Sequence, residues 1–224
     1  MGEILMAVAA VPRNQLAMLL GTAAFALLSI WGSPYPQLAP LQNIPTLLLL
    51  LAMGFGLRKY PLSNLAVGAT SLFLLLHTIG GRYIYSFVPY DEWSRAIGLP
   101  SVSEMFGFER NHYDRLVHFS FGLLLFWPLQ EALDRYTRLT PRWAVYVAVE
   151  FVLAASALYE IFEWMLTLLM APGNADAYNG QQGDMWDAQK DMALAFGGAL
   201  IAGLLSRFRI SRWGSPEPPA PSTR

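Results

Sequence analysis

Asp184, Asp187 and Asp191 stand three and four residues apart in the segment GDMWDAQKDMALAFGGAL. At helical spacing they crowd one face, where like charges repel, so something elsewhere in the chain must offset them. Asp114 and His118 lie at i, i+4 and can address one cavity; Ser156, Glu160 and Glu163 lie at i, i+4, i+7. His77 is one of three histidines. Carboxylates and imidazoles in this combination bind divalent cations, oxygen-rich ligation favouring Mg, Mn or Ca and two histidines leaving Zn open. On that reading Asp114, His118, Glu160, Asp184, Asp187 and Asp191 are ligands, and Glu163 or His77 is a general base. Protonation would offset the repulsion equally well. So would pairing with Arg82, Arg110, Arg115 or Lys190. Asp184 and Asp187 also suit helix capping. The spacing leaves these answers open.

The elements that carry these residues are unusually apolar. The 224-residue chain is 54% hydrophobic and 14% charged, with mean hydropathy +0.36, whereas soluble domains are about a quarter charged. A net charge of −1 argues against a nucleic-acid partner, which calls for a basic stripe. The absence of cysteine excludes disulfides and thiolate metal sites. Crossing a bilayer takes about 20 mostly apolar residues, and six runs qualify: 15–31, 43–57, 62–79, 113–133, 143–170 and 191–208. They predict an all-α, polytopic bundle of six transmembrane helices in a single domain, 1–210. A disordered, Pro-rich tail follows at 211–224. No small-x-small motif follows the first run, which therefore reads as a retained helix. The stripe Ala195, Ala199, Gly203 continues the face of Asp191 and invites close packing by a neighbour.

Loop charge orients the bundle. Ten of the fifteen Lys and Arg fall at the N-terminal end, in the second and fourth connections and in the tail; five fall on the opposite side. Both termini are therefore expected in the cytoplasm of a bacterial inner membrane. Tracing each helix through that orientation brings His77, Asp114, His118, Glu160, Glu163 and the three aspartates to a similar depth at the outer side. Charged residues within spans cost about 2.5–3.5 kcal/mol each on insertion scales, so they need partners. The third connection, roughly 80–112, is long and aromatic and reads as a lid or re-entrant segment.

The segments HTIGGRYIYSFVPY, RNHYDRLVHFSFG, ALYEIFEW and GQQGDMWDAQKDM resemble the YjdF family of multi-spanning bacterial inner-membrane proteins, whose biochemical function is unknown. A fainter similarity is to VanZ-like membrane proteins. There an Asp-Lys-x-x-His-Phe start corresponds to Asp114-Arg115-x-x-His118-Phe119, Glu-x-x-Gln to Glu160-x-x-Glu163, and Asp-x-x-Asp-x-x-x-Asn to Asp184, Asp187 and Asp191. Both departures add an acidic group. The resemblance implies the membrane architecture and supplies no reaction. Three functions stay open: a metal-dependent membrane enzyme acting on a lipid or lipid-linked envelope precursor, an ion- or proton-coupled carrier, and a non-catalytic scaffold. Oligomeric state is not legible.

Overall fold

A computed structural model describes residues 10–169 and 181–213. The regular elements among them are all helical: α1 (Arg13–Ile30), α2 (Ala39–Lys59), α3 (Asn64–Arg82), α4 (Tyr90–Ala96), α5 (Val102–Phe106), α6 (Tyr113–Tyr136), α7 (Pro141–Leu169) and α8 (Asp187–Trp213). Helices α1, α2, α3, α6 and α7 are long and apolar enough to cross a membrane. Helix α8 is a sixth long helix, uncharged from Met192 to Ser206. The chain is thus a polytopic all-α bundle. Large apolar side chains such as Leu28, Leu48 and Leu158 stay exposed along its outside, as expected where hydrocarbon is the solvent.

The ends of the helices follow local chemistry. Helix α2 starts at Ala39, ahead of its apolar run, because Pro40 in the first turn needs no donor there. Ser63 caps α3 by accepting the Ala66 N–H at 3.2 Å. Its own N–H and hydroxyl donate to Glu131 at 2.7 and 2.5 Å, and Arg135 pairs with the same carboxylate at 2.7 Å. Helix α8 begins at Asp187, so Asp187 is helical together with Asp191. Residues 211–213 continue that helix; the remainder of the expected tail, and Met170 at the end of the expected fifth run, lie outside the described residues.

The third connection differs from an open loop. Residues 80–82 complete α3, and α4 and α5 fold within the rest. It is tied to the start of α6 where Asn111 donates to the Val88 carbonyl at 2.8 Å and Tyr90 accepts the His112 N–H at 3.0 Å. Arg82, a candidate partner for the aspartates, turns instead to α1. It donates to the Ser29 and Gly32 carbonyls at 2.9 Å, groups that the helix end leaves unsatisfied.

Helices α1, α2 and α3 pack together, α3 packs on α6, and α6, α7 and α8 form a second group. The tightest crossing is α6 on α8. A Cβ on Gly122 would lie 1.8 Å from the Ala195 carbonyl oxygen, and one on Gly198 would lie 2.3 Å from that of Phe119. Ala195 and Ala199 are fully buried beside them, so the small-residue stripe is where two backbones touch. Gly122→Ala and Gly198→Ala should each destabilise the protein by at least the roughly 1–3 kcal/mol typical of overpacking. Thermal unfolding in detergent would read this as a lower Tm, while Gly54→Ala, inside α2 with nothing within 4 Å, does not lower Tm.

Candidate functional site

The close α6–α8 crossing sets Arg115 opposite the start of α8. Its Nη2 lies 2.6 Å from Asp187 Oδ1 and 3.0 Å from Asp184 Oδ2, and its Nη1 lies 2.6 Å from Asp191 Oδ1. Nη1 also donates to the Asp187 carbonyl at 3.0 Å. One guanidinium therefore gathers all three aspartates, a task for which its planar fork is suited and a lysine ammonium is not. Arg110 adds a second cation, 2.9 Å from Asp187 Oδ1, while donating to the Gln181 carbonyl at 2.6 Å. Lys190 pairs with Asp184 at 2.6 Å. Of the answers open to the sequence, cation pairing is the one these side chains adopt for Asp184, Asp187 and Asp191. Asp184 also caps, accepting the Trp186 N–H at 3.0 Å.

Asp184 precedes the helix and sits at the surface end of the cluster. The hydrogen bond donated by Lys190, then that from the Trp186 N–H, pulls its carboxyl down to about 2. Asp187 and Asp191 are buried, Asp191 almost completely. Gln182 anchors the turn before α8, exchanging hydrogen bonds with the Asn111 backbone at 2.9 and 3.0 Å.

Deeper in the bundle the carboxyl groups outnumber the cations. Asp114 and His118 meet on α6, Nε2 to Oδ1 at 3.5 Å, and His118 Nδ1 lies 3.8 Å from Glu160 Oε1 on α7. Asp114, His118 and Asp191 each offer a ligand atom within 4.8 Å of the others. Glu160 Oε1 is buried without a hydrogen-bond partner. Glu163 takes a hydrogen bond from Tyr159 and lies within electrostatic reach of Asp114 and Glu160. Glu160 lies against His118 and Glu163 beside Tyr159 because α7 packs on α6 and α8. Six carboxyl groups thus share Arg110, Arg115 and Lys190.

Asp114 and His118 border a cavity of about 250 Å³. His77 and Tyr85 close another part of its wall. The Gln42 carbonyl lies 3.1 Å from His77 Nε2 and can only accept, so Nε2 carries the proton and Nδ1 accepts the Tyr85 hydroxyl. Tyr85 reaches that position through two consecutive left-handed residues, Ile84 at φ 44° and Tyr85 at φ 53°. Gly80 makes room: a Cβ there would lie 2.4 Å from the Tyr85 ring. Such backbone strain persists only where its surroundings enforce it. Tyr85, Thr46 and Tyr159 belong to the cavity wall, and no spacing in the sequence singles them out. In the sequence Arg115 is one of four candidate cations and the basic residue of the Asp114-Arg115-x-x-His118 run, with nothing to mark it as the hub.

Long apolar helices around a buried polar focus define a multi-pass membrane protein. The chain belongs to the family described as "Predicted membrane protein (DUF2238)", which matches residues 14–212. It is 39% identical over 162 residues to "Inner membrane protein YjdF" of Escherichia coli (strain K12), covering 70% of this chain and 73% of that protein. The family resemblance read from the four motifs is thereby confirmed. No solved structure matches the chain.

Removing Arg115 strands Asp191 in the interior and leaves Asp187 to Arg110, and breaking a buried pair costs about 3–5 kcal/mol. Arg115→Met should therefore yield little folded protein, and Arg115→Lys should recover only part of the Tm. Asp184 behaves differently. Its folded value of about 2 lies below the ordinary carboxylate value near 4, so its stabilising contribution is complete above about pH 4 and disappears as pH falls towards about 2. The Tm difference between wild type and Asp184→Asn should stay constant from neutral pH to about 5 and vanish near pH 2.

Proposed function

We propose that the chain is a metal-dependent enzyme of the bacterial inner membrane, acting on a lipid or lipid-linked envelope precursor at the outer leaflet. One observation carries this reading: ligand atoms of Asp114, His118 and Asp191 come within 4.8 Å of one another, and the first two border a cavity large enough for a reacting group. A divalent cation held there would polarise a carbonyl or phosphoryl oxygen or activate a water. Asp184 and Asp187, tied up by Arg110, Arg115 and Lys190, support the centre from outside. Glu160, with an oxygen lacking a hydrogen-bond partner, is the fourth ligand. Both ring nitrogens of His77 are engaged, which favours Glu163 as general base. The outer-leaflet placement rests on the ten-to-five asymmetry of Lys and Arg.

One observation favours a second reading, a non-catalytic scaffold: Arg115 already pairs with Asp191 at 2.6 Å and competes with any metal for that carboxylate. The carrier reading lacks comparable support, because Glu131 at the other end is held by Ser63 and Arg135 and Glu150 is exposed.

Elemental mass spectrometry of protein purified in mild detergent separates the two. The enzyme reading expects near-stoichiometric Mn, Mg, Ca or Zn, with affinity lowered about tenfold or more in Asp114→Asn and His118→Gln. Metal-free protein that also fails to take up Mn²⁺ on titration, with both variants folding as wild type does, would leave the scaffold.

A further inference from the structure

A second concavity, away from the carboxyl cluster, lies between α1 and α2. It encloses about 640 Å³, between Leu16 and Leu20 of α1 and Leu47, Leu51 and Phe55 of α2, with Arg58 at one end. Leu20 is 60% exposed and Phe55 62%, so this groove opens to the outside of the bundle. Both helices are long and apolar enough to cross a membrane, and the outside is therefore hydrocarbon.

Its length fits one leaflet. From Leu47 to Arg58 the α2 wall rises about 16 Å at 1.5 Å per residue, close to the roughly 15 Å that one leaflet contributes to a hydrocarbon core about 30 Å thick. Gly54 helps to keep the groove open, since even a Cβ there would meet nothing within 4 Å. A groove of this depth, apolar as far as Arg58, matches an acyl chain whose head group stands at the guanidinium.

Charge selects the head. Residues 4–90 contain no Asp or Glu, yet they carry Arg13, Arg58, Lys59 and Arg82. Arg82 is spent on carbonyls at the far end of α1. The other three stand together where α1 starts and α2 ends. Glu131, at that same end of the bundle, is already held by Ser63 and Arg135. Arg58 forms no ion pair among the described residues; its guanidinium lies over the Phe55 ring, 5.6 Å from the centroid, and so stays beside the groove. Basic side chains pocketed between membrane helices bind anionic head groups, and the guanidinium fork matches phosphate. With no acidic residue on either helix, nothing in the groove answers the cation of a zwitterionic head.

We infer that the α1–α2 groove binds an anionic phospholipid, with one acyl chain along Leu16, Leu20, Leu47 and Leu51 and the phosphate at Arg58. This site is separate from the proposed metal centre and does not rest on it.

The test uses the full-length protein in phosphatidylcholine nanodiscs. They carry a trace of phosphatidylglycerol or of phosphatidylcholine, each with the same diazirine-bearing acyl chain. Phosphatidylglycerol should photolabel the groove residues of α1 and α2 about fivefold more than phosphatidylcholine, the worth of one basic side chain beside an anionic head. Arg58→Gln, at an exposed position, should bring the two probes level there. Gly54→Leu should lower labelling by both, because its side chain fills the groove. Thermal unfolding identifies the variants that fold. Equal labelling of the wild-type groove by the two probes overturns the inference, as does a preference that survives in folded Arg58→Gln or labelling unchanged in folded Gly54→Leu. A groove that neither probe labels, the result if a protein segment is seated there, overturns it too. So does an equal preference around the exposed Leu158 of α7, which would make it a property of the whole lipid-facing surface.

Discussion

The aspartate cluster at the start of α8 depends on how closely α6 and α8 approach. Gly122 and Gly198 leave no side chain between the two backbones, and Ala195 and Ala199 fill the seam without widening it. In a bilayer no hydrophobic force drives helices together, so such van der Waals contact and the bonds it permits carry the association. The crossing puts the first turns of both helices side by side, and Arg115 on one then reaches Asp187 and Asp191 on the other. With larger residues at the seam the guanidinium would stand too far away to gather three carboxylates. Asp187 and Asp191 are tolerable at this depth because the Arg115 guanidinium lies 2.6 Å from each.

The arrangement separates two kinds of carboxyl group. Asp184 and Asp187 take the cations and are spent on holding α8 against α6. Asp114 on α6 and Glu160 on α7 lie beside His118, and Glu163 accepts a hydrogen bond from Tyr159. Asp191 belongs to both groups, touching Arg115 and lying within ligand range of Asp114 and His118. Glu160 Oε1, close to His118, is left without a hydrogen-bond partner, and a purely structural network gains nothing from that. That shortfall, beside the convergence of Asp114, His118 and Asp191, is the physical ground for reading the cluster as a site.

Much of this was legible in the primary structure. Six apolar runs correspond to six long helices because bilayer thickness imposes a length that composition alone reveals. The i, i+4 relation of Asp114 and His118 survives because a helix has one period. The helix ends were less legible: α2 extends back to Ala39 and α8 to Asp187, where prolines and capping groups, not hydropathy, set the boundary. The neighbour of Glu160 was not legible either: the packing of α7 against α6 and α8 set it beside His118. Arg82 likewise went to the end of α1.

The sequence by itself determined the class of structure, the membrane as its solvent, and which residues needed partners, since an ionisable group in an apolar run is costly wherever the run ends up. Only the tertiary structure decided which partner each one took. Arg110, Arg115 and Lys190 were equivalent as letters; the backbone contact at Gly122 made Arg115 the hub. The cavity was wholly a tertiary matter, because His77, Asp114, His118 and Tyr159, far apart in the chain, come to one wall only when the helices pack.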